Sequence, residues 1–218
     1  MRQLYILELE GLVDKVDQLA SFVQTAISQA MQAVNESNVD LANKVVEANE
    51  AINQYAAEIE KESYRIVALQ QPVAGDLRLV FAIMHIGVEM KRMGEHASVI
   101  AKKVIRNKAD ITASLDLIEV LNEMADQVLA MFNQVIELIH ESDLERTGET
   151  ALMDPKVDEL LNYVYQTATQ RMIEDEESVQ AGIHIIDVAT SLERIGDYIT
   201  NICEHLVYLE TGSMMRLN

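Results

Sequence analysis

The sequence predicts an all-α protein built as two tandem three-helix bundles related by internal duplication. Three observations lead there: few helix breakers, apolar residues at alternating three–four spacing, and a second half that repeats the first in register. Only 2 Pro and 8 Gly occur among 218 residues, and 49% are apolar, enough to bury a core. Leu, Ala, Val, Ile, Met, Glu and Gln dominate, and most of these lose little side-chain freedom in a helix.

Six amphipathic segments follow from the spacing, at about residues 4–35, 38–69, 74–107, 113–141, 143–174 and 179–210. The first has a seam of Leu9, Leu12, Val16, Leu19, Val23, Ala26, Ala30 and Ala33. Ser37-Asn38 offers N-cap oxygens to the second, and Gln71-Pro72 ends it, because the residue before proline is pushed out of the helical region. The third carries Ile83, Ile86, Met90, Met93, Ala97, Ile100 and Val104. Shifting the first seam by 105 places lands on Leu117, Leu121, Met124, Val128, Met131, Val135 and Leu138 of the fourth, with only Ser114 departing. Ser142-Asp143 caps the fifth, where Pro155 is expected either to kink the helix or to start it with Asp154 as the cap. The sixth repeats the third at a shift of 102, through Ile185, Val188, Leu192, Ile195, Ile199, Ile202 and Leu206. Short connections make successive helices antiparallel neighbours. The halves divide as residues 1–110 and 111–218.

The net charge is −19, which argues against a nucleic-acid partner. The acidity is uneven. Residues 1–110 carry 12 Lys and Arg against 15 Asp and Glu, whereas 111–218 carry 5 against 21. Cys203 stands alone, so neither an internal disulfide nor a thiolate metal cage is available. With no apolar signal core at Met1–Tyr5 and no charge-free span of membrane length, a cytoplasmic protein is expected. No nucleophile–base arrangement or glycine-rich phosphate loop appears, so no enzymatic activity is expected.

Chemistry concentrates in Leu192-Glu193-Arg194-Ile195-Gly196-Asp197. Glu193 and Asp197, four apart, project from one helix face, and that face points away from the seam, so both are expected to be accessible. Gly196 between them costs roughly 1 kcal/mol relative to Ala, a cost tolerated where a neighbour approaches closely. Asp154 and Asp158 form a second pair at the same spacing on the preceding helix. Two such pairs on antiparallel neighbours can converge on a hard cation such as Mg, Ca, Mn or ferric iron. The competing reading is a solvated surface, with Arg194 as a local ion-pair partner and Asp154 as a helix cap.

Leu192–Asp197 followed by Asn201-Ile202, together with Gln70-Gln71-Pro72-Val73-Ala74-Gly75-Asp76-Leu77-Arg78, resembles the signature segments of the PhoU family, and the likeness spans essentially the whole chain. The resemblance implies metal-binding acidic surfaces, multinuclear and occupied by iron or zinc, and assigns Asp154, Asp158, Glu193 and Asp197 as ligands. The first half departs from the pattern. Its equivalents are Asn49, Asn53, Lys91 and Glu95, and an ammonium repels a metal instead of ligating it. One strong site in the second half and a weak or absent one in the first are therefore expected. Asn201, His85, Glu89 and His96 are possible accessory groups.

The resemblance also implies a negative regulator of phosphate uptake and of the phosphate-starvation response. Its expected partners are the ATP-binding subunit of a phosphate ABC transporter, a phosphate-sensing histidine kinase and a second copy of the chain. Two alternatives stand beside it, a carboxylate-rich helix-bundle metalloprotein and a metal-free helical scaffold. Glu137 and His140 make half of a di-iron motif whose second half is missing. The methionines at 90, 93, 124 and 131 read as core, and Lys102, Lys103, Arg106 and Lys108 as complements to a helix C-terminus.

Overall fold

Helices make up the architecture of the computed structural model, which describes residues 2–106 and 115–217 and has no strand among them. The first half consists of α1 (Arg2–Glu36), α2 (Val39–Gln70) and α3 (Ala74–Arg106), each packed on the other two. The second consists of α4 (Leu115–His140), α5 (Leu144–Ala151), α6 (Asp154–Glu174) and α7 (Val179–Thr211), with a 3₁₀ turn at Glu176–Ser178. The proposed division between residues 110 and 111, and Lys108 beside it, lie outside the described residues.

The periodic seams become the core. Leu12, Val16, Leu19, Val23, Ala26, Ala30 and Ala33 of α1 are buried, as are Leu117, Leu121, Met124, Val128, Met131, Val135 and Leu138 of α4. All four seam methionines are fully buried. Each large apolar side chain withdrawn from water in this way contributes about 1.5–3 kcal/mol.

Local chemistry sets the ends. Asn38 Oδ1 accepts from the Leu41 N–H at 2.9 Å, and an Asp143 carboxylate oxygen accepts from the Arg146 N–H at 3.0 Å. Gln71 closes α2 in the left-handed region (φ 49°, ψ 55°) with its N–H on the Val67 carbonyl. Pro72 has no N–H with which to continue the ladder.

The predicted fifth helix, 143–174, is two helices. Pro155 cannot donate the hydrogen bond that would run back to Ala151, so α5 ends there and α6 begins at Asp154. Leu152 and Met153 stay right-handed between them, and Met153 occupies the cap position without a side-chain bond. Asp154 is therefore the first residue of α6 and not its cap.

The halves join through α3 on α7 and α1 on α4. Both contacts follow the duplication. Asp17 and Asn122 are equivalent positions, as are Asn35 and His140. The 2.9 Å His140–Asp17 bond is thus the symmetry mate of the 2.9 Å Asn35–Asn122 bond. Along α3 and α7, His85 corresponds to Asp187 and Lys103 to His205. A Lys103–Asp187 ion pair closes one end of this crossing, and a His85–His205 ring stack, centroids 4.9 Å apart, closes the other. Arg78 adds a further link, donating from Nε to the Leu209 carbonyl at 3.1 Å. Among the described residues no helix is long and apolar enough to cross a membrane.

Candidate metal centre

The acidic face of the second half is built where α6 crosses α7. Gly196 makes the crossing possible: a Cβ there would lie 2.6 Å from Asp154 Oδ1 and 3.9 Å from Val157 Cγ1. The missing side chain lets the Asp154 carboxylate settle directly against the α7 backbone, between Glu193 and Asp197 in sequence. Asp154 is buried at 3% exposure, whereas Asp158, one turn on, is exposed.

Glu193 and Asp197 were expected to be accessible, and they lie outside the core with partial exposure. Both are half-buried, because α6 covers the side of α7 that faces away from its seam. Burial, then the neighbouring Asp197 and Asp158 charges, raises the Glu193 pKa. Burial and Asp158 likewise raise that of Asp197, while Arg194 opposes the shift. Arg194 contacts both acids, its Nε 3.6 Å from Glu193 and a terminal nitrogen 3.2 Å from Asp197. The other two acids are on the adjoining helix.

The donor set suits a hard or borderline cation: four carboxylates, Asp154 deeply buried and Glu193, Asp197 and Asp158 repelling one another, a repulsion that a positive charge would relieve. As arranged, Glu193 and Asp197 are turned to Arg194, and no three His, Cys, Asp or Glu side chains among the described residues converge on one ion. Holding a metal therefore requires the side chains of the four acids to rearrange.

In the first half the same crossing is present with different chemistry. A Cβ on Gly94, the equivalent of Gly196, would lie 2.9 Å from Ile52 and 3.3 Å from Asn49 Oδ1. Asn49 Oδ1 and Asn53 Oδ1 are buried there without hydrogen-bond partners. Lys91 is 3.7 Å from Glu95, so the ammonium neutralises the one carboxylate of this site. One acid already paired with lysine does not fit a metal cluster.

The accessory candidates lie elsewhere. Glu89 is buried at 7% exposure, 3.3 Å from Arg92 and 3.4 Å from Asn201 Nδ2. His85 stacks on His205, and His96 lies 5.6 Å from the Tyr198 ring. These groups bridge α3 and α7 and are not gathered with the four acids. Glu137 and His140 are taken up by Arg146 and Asp17. Sequence reasoning gave Arg194 only as a local ion-pair partner and missed its hold on both acids; its i+3 relation to Asp197 was the available signal.

Fold and site together define a class: a duplicated three-helix-bundle protein with a carboxylate face on its second half. The chain belongs to the PhoU family, whose domain model matches residues 16–104 and 121–206, one match per half. It is 33% identical over 218 residues to the phosphate-specific transport system accessory protein PhoU homolog of Streptococcus pneumoniae, covering all of both chains. The homologue of the same name from Clostridium acetobutylicum is 30% identical over all of this chain and 99% of its own. Among solved structures, the phosphate transport system regulatory protein PhoU from Streptococcus pneumoniae superposes with a TM-score of 0.88 at 30% identity, covering 97% of this chain and 99% of that one. PhoU from Pseudomonas aeruginosa gives 0.86 at 27%, covering 96% and 100%.

Proposed function

We propose that this chain is a non-enzymatic negative regulator of phosphate uptake, serving a phosphate ABC transporter and restraining the phosphate-starvation response. Its relatives carry the names of phosphate-transport accessory and regulatory proteins over their full length, which supports the transporter link. In this reading the chain works in the cytoplasm as a homodimer and contacts the transporter's ATP-binding subunit and a phosphate-sensing histidine kinase.

The observation that carries the metal part is the Asp154 carboxylate seated against Gly196, with Glu193 and Asp197 on either side of that glycine. Asp154, Asp158, Glu193 and Asp197 would hold the ion, with iron or zinc favoured by the family and manganese, magnesium or calcium compatible with the oxygen donors. Bound there, a metal supplies positive charge and makes the face approachable by an anion. Asp154 supplies a buried anchor, and Glu193 and Asp197 supply mobile donors. Ligand or partner binding shifts the regulator between complexes only through unequal affinity for them.

Affinity capture from phosphate-replete cells tests the reading, using wild type beside a Glu193→Ala/Asp197→Ala double variant. Retrieval of the phosphate-transport ATPase or the kinase by wild type alone ties the acidic face to regulation. Retrieval by both separates the face from partner binding and favours a metal-free scaffold. Failure of wild type to retrieve either partner, in conditions that preserve weak complexes, refutes the proposed partnership.

A further inference from the structure

Arg92 and Arg194 hold equivalent positions in the two halves, yet they dock differently. Arg92 turns into the α3–α7 crossing, 3.3 Å from Glu89 and 5.7 Å from the Tyr198 ring centroid. Arg194 instead lies on the acidic face, against Glu193 and Asp197. The neighbours explain the difference. In the first half Lys91 pairs with Glu95, which leaves Arg92 for Glu89 three residues earlier. In the second half the position of Lys91 is Glu193 and that of Glu89 is Ser191. The acids there have no lysine on their own helix, and Arg194 has no acid three residues before it.

The crossing nevertheless keeps a place for Arg194. Under the duplication Tyr198 corresponds to His96, so the mate of the Arg92–Tyr198 contact is Arg194 beside His96. His96 Nδ1 is buried without a hydrogen-bond partner. Arg194 is close enough for its charge to help hold the His96 pKa below its ordinary value, after burial. The guanidinium lies on the carboxylates, and the symmetry of the halves marks a second place for it, toward the other half of the molecule.

Resting on the metal-binding reading above, we propose that Arg194 is the resident counter-ion of the acidic face, which an entering cation must displace toward His96. Arg194 thereby sets the cation threshold of the site and links its occupancy to the α3–α7 crossing. Arg194 holds one oxygen of each acid, Glu193 Oε2 and Asp197 Oδ2, so a cation that takes those oxygens competes with the guanidinium for them. Half-burial of both acids keeps this competition from being screened away.

The test is Mn²⁺ binding to the full chain, with free ion counted by electron paramagnetic resonance. Arg194→Gln should bind Mn²⁺ at least about tenfold more tightly than wild type, equivalent to about 1.4 kcal/mol. Arg194→Lys, which keeps the charge, should stay within about threefold of wild type, and Arg92→Gln should not tighten binding. Circular dichroism at 222 nm verifies that each variant is helical. Equal or weaker binding by Arg194→Gln overturns the counter-ion role while leaving the metal reading intact. Absence of Mn²⁺, Zn²⁺ and Fe²⁺ binding in wild type and Arg194→Gln alike overturns the metal reading itself.

Discussion

Three glycine-to-alanine substitutions separate helix propensity from the demands of the two helix crossings. Each replaces a helical glycine, so each gains about 0.8–1 kcal/mol of propensity if the methyl group meets no obstacle. At Gly11 in α1 a Cβ has nothing within 4 Å, and Gly11→Ala should stabilise the protein by nearly that amount. At Gly94 the same methyl would lie 2.9 Å from both Cδ1 and Cγ2 of Ile52, a side chain that is itself buried at 1% exposure. Both branches of the isoleucine must move within a packed core, and overpacking of that kind costs about 1–3 kcal/mol. The net for Gly94→Ala is a loss of up to about 2 kcal/mol once the propensity gain is set against it. At Gly196 the obstacle is the end of the Asp154 side chain, which can rotate away at the expense of its buried seat. Gly196→Ala should therefore leave stability within about 1 kcal/mol of wild type while weakening Mn²⁺ binding. Urea midpoints followed by circular dichroism, with unchanged slope, give the three values. If Gly94→Ala is stabilised as much as Gly11→Ala, the close approach of α2 to α3 is wrong.

Other outcomes follow from individual contacts. Glu193→Gln should raise stability at pH 7 by about 0.5 kcal/mol, because it removes a four-apart repulsion with Asp197. The raised carboxyl pKa gives the sign: stability associated with Glu193 is present at acid pH and lost as pH rises through its folded-state value, so the gain should vanish in acid. Burial and His85 hold His205 down at about 4, below its ordinary 6.5, so its contribution is complete above pH 6.5 and lost as pH falls toward 4. His205→Gln should flatten the urea midpoint across that window. Arg78→Ala removes a charge-assisted bond between the halves and should cost about 1–2 kcal/mol in the urea midpoint.

The helical seams and the duplication were legible because burial imposes a period on a helix whatever its neighbours are. The caps at Asn38 and Asp143 were legible for a similar reason, since their bonds lie within three residues. Pro155 announced an irregularity but not its form. Whether Asp154 caps the helix or opens it depends on Leu152 and Met153 remaining right-handed, and nothing local forces that. The four acids could be named from spacing and resemblance, but not their burial, which depends on how closely α6 lies over Gly196. The burial of Glu89 was hidden as well, because its own helix gives no hint that α7 covers it. The His85–His205 stack joins residues that become neighbours only once α3 and α7 cross. The choice made by Arg194 was least legible: a long side chain picks among partners on both sides of its helix, and spacing does not rank them.

The symmetric crossing of the halves bears on what a single chain permits. Were each half a separate subunit, a two-fold interface would place the same pair at both ends, because residue i on one copy meets residue j while j meets i. Two copies of the first half would set His85 against Lys103 at both ends, and two copies of the second would set Asp187 against His205 at both. Covalent fusion lifts that restriction, so one end holds an ion pair and the other a pair of histidines. The same freedom allows one face to keep four carboxylates while its twin substitutes amides and a lysine. Joining the halves thus turns an obligatory mirror into two independently adjustable surfaces, one acidic and one neutralised, held at fixed separation by a shared core.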